Sequence, residues 1–69
     1  MKAVKNDERQ MFERMGLLMA EASSDENLDQ SLAAIEEWIR IWDNPLDQVG
    51  FRACRDRLLE RIQNRKVEK

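Results

Sequence analysis

Apolar residues recur along the chain at intervals of three and four, and two short polar stretches, 23–27 and 44–47, interrupt the pattern. Intervals of three and four place side chains on one face of an α-helix. The pattern therefore predicts three helices, over about residues 6–22, 24–43 and 45–65, followed by a frayed basic tail over 66–69.

The first predicted helix has Asn6 as its N-cap, because acidic residues follow it in the first turn, where the helix dipole favours negative charge. Gly16 in its middle weakens the helix by about 1 kcal/mol relative to alanine, and such a glycine often marks a close helix approach. The apolar stripe consists of Met11, Met15, Leu18 and Ala22, widened by Phe12 and Met19.

The second predicted helix carries the most regular seam, formed by Leu28, Leu32, Ile35, Ile39 and Trp42. Steps of four and three are typical of helical bundles. A flanking stripe, consisting of Ala34, Trp38 and Ile41, makes this helix more apolar than one neighbour can cover. Ser23 with Glu26 forms a capping-box pattern, and Asn27 is a competing N-cap, so the start lies between residues 24 and 28.

The third predicted helix begins at Pro45, with Asn44 as its N-cap. Gly50, near its beginning, allows an irregular first turn. Short connections favour antiparallel packing of consecutive helices. We therefore predict an all-α fold, a small antiparallel three-helix hairpin or bundle that forms one domain over residues 1–69.

Composition favours self-association. A chain of 69 residues with 42% hydrophobic residues buries only about 60% of its unfolded surface. One cysteine and no histidine exclude a disulfide within the monomer and leave little means of holding a structural metal. We predict a homodimer with the apolar face of the second helix in or near the interface, and we assign partner contacts to Trp38, Ile41, Trp42, Phe12 and Met15.

The residue types exclude most catalytic chemistry. Without histidine or tyrosine, Cys54 is the only thiol and lacks a base to activate it. Its position between Phe51 and Leu58 on the apolar stripe favours a core residue over a redox thiol or an intermolecular disulfide. We predict that the chain is no enzyme and has no catalytic residue, cofactor site or metal site.

One acidic pattern resembles a calcium-binding loop. Asp25, Asn27, Asp29, Ser31 and Glu36 occupy the positions at which such a loop places its ligands. Gln30 stands where the sharp turn of the loop requires glycine. The same residues serve better as the start of a helix, so calcium binding is not expected.

Charge is polarised along the chain. Residues 21–43 contain seven acids and one base, a balance of −6, and residues 52–66 contain six bases and two acids, a balance of +4. We expect Arg40 or residues 55–57 to approach Glu36, Glu37 or Asp43, while Arg61, Arg65 and Lys66 project freely.

The basic surface predicted on the third helix consists of Arg55, Arg57, Arg61, Arg65 and Lys66. It could contact nucleic acid, an acidic protein or only the acidic second helix. Nucleic-acid binding is the alternative and not the favoured function, because the chain is net acidic and nucleic-acid-binding domains are usually basic.

The longest apolar run is far shorter than the ~20 residues that span a bilayer, and no signal-peptide pattern is visible. We therefore expect a cytoplasmic chain without membrane contact or a small-molecule substrate. The predicted function is a non-enzymatic protein–protein interaction module, a small bacterial or phage regulator or adaptor that acts through helix–helix contacts with an unidentified partner.

Overall fold

The computed structural model describes the backbone of residues 3–67 and the side chains of residues 7–65. This part of the chain is helical and contains no strand, which confirms the all-α prediction. The elements are α1 (Ala3–Ala22), a 3-10 turn (Asp25–Asn27), α2 (Leu28–Ile41) and α3 (Pro45–Val67).

Two helix ends differ from the prediction. α1 begins at Ala3, so Asn6 lies inside the helix and is not its N-cap. α3 remains helical to Val67, beyond the predicted start of fraying at residue 66, and residues 68–69 lie outside the described part of the chain.

The start of α3 is confirmed in detail. The side-chain Oδ1 of Asn44 accepts hydrogen bonds from the backbone N–H groups of Leu46 at 2.9 Å and Asp47 at 3.2 Å. These are two of the N–H groups that a helix N-terminus leaves without an internal partner. Pro45 occupies the first helical position, and α3 continues through Gly50 without an irregular turn.

The start of α2 is not the predicted capping box. The hydroxyl of Ser23 donates to Ser31 Oγ at 3.1 Å and caps no helical N–H. Ser24 precedes the 3-10 turn and Asn27 precedes α2, and neither side chain accepts a hydrogen bond from a helical N–H group. Asn27 Nδ2 instead donates to Ser24 Oγ at 3.0 Å. The chain thus enters α2 through the 3-10 turn.

α3 is the central helix and packs along both of the others. Contacts between α2 and α3 follow opposite chain orders, with Trp42 beside Phe51 and Asp29 beside Arg65. Contacts between α1 and α3 follow the same order, from Gly16 at Gly50 to Glu21 at Arg57. The resulting body is long and thin, 49 × 23 × 15 Å.

Side chains of α3 also complete the C-terminal ends of the other two helices. Gln48 Nε2 donates to the carbonyl oxygens of Ile39 at 2.8 Å and Trp42 at 2.5 Å, at the end of α2. Arg61 Nη1 donates to the carbonyl oxygens of Ala20 at 2.6 Å and Ser23 at 2.7 Å, at the end of α1. The last carbonyl groups of a helix have no hydrogen-bond donor within that helix. Side chains of α3 supply donors to these carbonyls at the ends of both α1 and α2.

The core is small and lies where α1 and α2 meet α3. Of the predicted α2 seam, Leu28 and Ile35 are buried, Leu32 and Ile39 are half-buried, and Trp42 is exposed. The buried apolar side chains among the described residues are Ala20, Leu28, Ile35, Cys54, Leu58 and Ile62.

α1 buries a different face from the predicted stripe. Gly16 and Ala20 are buried, whereas Met11, Met15 and Leu18 are exposed. The physical reason is the close approach of α1 to α3 at Gly16, where the absence of a side chain lets the backbone of one helix touch that of the other. Large side chains are excluded from this contact and turn outward.

Candidate protein-interaction surface

An open groove lies between α1 and α2, with α3 as its floor. It forms because both helices pack on α3, and the hydrogen bond between Ser23 and Ser31 joins the two sides at one end. The groove has a volume of about 140 Å³ and is lined by Met19, Ser23, Ser31, Ala34, Ile35, Trp38, Cys54 and Leu58.

The two helices extend this groove into a wider apolar surface. On α1, Met15 lies one turn before Met19, and residues four apart share one side of a helix. On α2, Ile41 lies three residues after Trp38 and is 60% exposed. We define the apolar face as Met11, Met15, Leu18, Met19, Ala34, Trp38, Ile41 and Trp42.

Three aromatic rings give the apolar face a well-packed end. Trp38 and Trp42 of the α2 end both contact Phe51 of α3, with ring centroids 5.7 and 6.2 Å apart, and the two tryptophans lie 6.1 Å from each other in an edge-to-face arrangement. Such pairs stabilise ring positions beyond simple burial. Phe51 therefore fixes the positions of the two tryptophan rings, and part of each ring remains exposed to solvent.

The groove at the centre of the apolar face is lined by no charged side chain, whereas Asp7 and Arg14 border Met11 at the edge of the face. The polar groups that line its groove are the hydroxyls of Ser23 and Ser31, which bond each other. A surface without charge has no strongly hydrated group that must lose water on contact. The apolar face is thus suited to contact another apolar surface.

The sequence-predicted partner residues divide between two places. Trp38, Ile41, Trp42 and Met15 lie together on the apolar face and are exposed. Phe12 is half-buried and lies at the crossing of α1 with Gly50. Phe12 therefore belongs to the contact between α1 and α3.

The sequence did not predict that Met11, Leu18 and Met19 contribute to this surface. The apolar stripe of α1 that contains them was expected to face the core. The signal that could have found them is the pair of small residues Gly16 and Ala20, four apart. Small residues at that spacing mark the side on which a helix approaches its neighbour most closely.

Arg61 and Arg65 of α3 do not project freely, contrary to the prediction. Arg61 binds the end of α1 and also donates to Asp25 Oδ1 at 2.7 Å. Arg65 donates to the backbone oxygen of Asp25 at 2.8 Å and lies 3.5 Å from Asp29 Oδ2. These arginines hold the connection between α1 and α2 against α3, and the side chain of Lys66 lies outside the described residues.

The predicted pairing of residues 55–57 with the later acids of α2 is also wrong. Arg57 forms ion pairs with Glu21 of α1 and with Glu60 of its own helix, and hydrogen bonds to these two carboxylates raise the pKa of Arg57. Arg55 pairs with its neighbour Asp56. The reason is that α1 and the 3-10 turn lie closer to this side of α3 than the later part of α2.

Two further basic and acidic residues form a pair within one helix. Arg40 binds Glu37 on α2 itself, and both side chains are exposed. Exposed pairs of this kind contribute about 0–1 kcal/mol, so this contact adds little to the association of the helices.

Cys54 lies at the floor of the groove as a free thiol and is 3% exposed, which confirms its prediction as a core residue. Burial raises the pKa of the Cys54 thiol, because the thiolate would lose hydration. The thiol is therefore less ionised at neutral pH than an ordinary cysteine.

The segment that resembles a calcium loop is helical, since the 3-10 turn and α2 occupy it. Asp25 and Asp29 are directed to arginines of α3, and the described residues contain no group of three or more potential metal ligands. Within residues 3–67, no helix combines the length and apolar character needed to cross a bilayer.

Comparison of the chain with protein-family models, with curated proteins and with solved structures finds no match.

Proposed function

We propose that the chain is a non-enzymatic protein–protein interaction module that binds the helices of a partner through its apolar face. The observation that carries the proposal is the extent of exposed apolar surface. The large side chains of the apolar face are each between 38% and 64% exposed. Large apolar side chains exposed together on two neighbouring helices are typical of protein–protein contact sites.

The shape of the surface supports a helical partner. The groove runs between α1 and α2. A helix of a partner placed over it would contact Met19 on the α1 side and Trp38 on the α2 side. Amphipathic helices bind such grooves through side chains at intervals of three and four. The antiparallel arrangement of consecutive helices is part of this proposal, since it gives the groove two long parallel walls.

A regulator or adaptor of a bacterial or phage cytoplasm is the biological role that we propose for such a module. Nucleic-acid binding through α3 is the rival function, and the observed ion pairs weigh against it. Arg57, Arg61 and Arg65 already bind carboxylates of the same chain. A phosphate would have to displace these carboxylates before it could bind.

The test measures which proteins of a bacterial lysate bind to the immobilised wild type and to two immobilised variants. Each chain is attached sparsely, so that single copies are presented. Met15→Lys places a charge on the apolar face. Leu17→Lys is the matched control, because two residues correspond to a rotation of about 200° around the helix and place Leu17 opposite Met19. We expect the wild type and Leu17→Lys to capture the same proteins and Met15→Lys to lose them.

A titration with duplex and single-stranded DNA at low and high salt tests the rival function. Electrostatic binding to DNA weakens steeply with salt. Tight, salt-sensitive binding that is lost on replacing Arg57 and Arg65, together with capture that Met15→Lys leaves unchanged, would contradict the proposed function.

A further inference from the structure

We draw no further inference here: the strongest candidate, the exposed apolar face between α1 and α2 with the groove at its centre, belongs to the interaction surface already described, and nothing in the structure shows what covers it.

Discussion

A Cβ atom placed on Gly16 of α1 would lie 2.0 Å from the carbonyl oxygen of Gly50 on α3. No real Cβ tolerates that distance, so the two helices cross here with backbone against backbone. The crossing determines which side of α1 is buried, and through it which apolar residues remain on the surface.

Gly16→Ala should destabilise the fold. Alanine in a helix is by itself favoured over glycine by about 1 kcal/mol, but the added methyl group must separate α1 from α3, with a net loss of about 1–3 kcal/mol. Gly50→Ala should lose less, because its Cβ would lie 2.9 Å from the carbonyl oxygen of Phe12. Urea unfolding followed by circular dichroism measures both. A stabilised Gly16→Ala would show that the helices do not cross at these glycines.

Leu28→Ala should cost about 2–5 kcal/mol, because Leu28 is 1% exposed in the core. Leu18→Ala makes the same chemical change at a side chain that is 64% exposed, and it should change stability by less than about 0.5 kcal/mol. Thermal and urea unfolding are measured at low micromolar protein concentration, so that association between chains does not contribute to the measured stabilities. Equal losses in the two variants would mean that the stripe of α1 and not its small residues faces the core.

Arg61→Met should lower stability by about 1.5–3 kcal/mol, since charge-assisted hydrogen bonds to the end of α1 are lost. The Arg61 side chain is only 18% exposed, so much of this loss should persist at 0.5 M salt. Arg55→Met is the control, because among the described side chains the ion pair of Arg55 is with its neighbour Asp56, and its effect should stay within about 0.5 kcal/mol. If the two variants unfold at the same urea concentration, the hydrogen bonds of Arg61 do not stabilise the chain.

Cys54 should make stability fall at alkaline pH. The pKa of Cys54 is raised in the folded state, so the unfolded chain loses its thiol proton first, near the ordinary value of about 8.5. Above that pH the unfolded state binds fewer protons, and the free energy of unfolding decreases with pH until the folded pKa is passed. Melting curves from pH 7.5 to 10.5 should show a larger fall for the wild type than for Cys54→Ala. Parallel falls would contradict the shift.

The local signal at the start of α3 was reliable, whereas the cap signals at Asn6 and Ser23 and the buried face of α1 were predicted wrongly. Asn44 and Pro45 define the start of α3 through bonds within four residues, so the sequence alone predicts it. The burial of Gly16 depends on where Gly50 lies, more than thirty residues away, and a pattern based on hydrophobicity favours large residues over the small ones that a close crossing needs.

The ion pairs show the same limit. The polarity of charge correctly indicated attraction between α3 and the acidic middle of the chain, and Asp25 and Asp29 do pair with Arg61 and Arg65. Which acids are used depends on the heights at which the helices pack. The apolar face was found in part, since the surplus of large residues on α2 is visible in the sequence, whereas the contribution of α1 follows from the crossing of the glycines.

The bonds from Gln48 and Arg61 to the ends of α2 and α1 have a consequence for the order in which the chain matures on the ribosome. α1 and α2 are synthesised before α3, yet α3 carries the groups that complete their ends and the glycine that α1 contacts. At about 5–20 residues per second, the earlier helices wait on the order of seconds without their docking surface. Docking of α1 and α2 therefore has to wait for the synthesis of α3, and during that interval the methionines and tryptophans are accessible to chaperones that bind nascent chains.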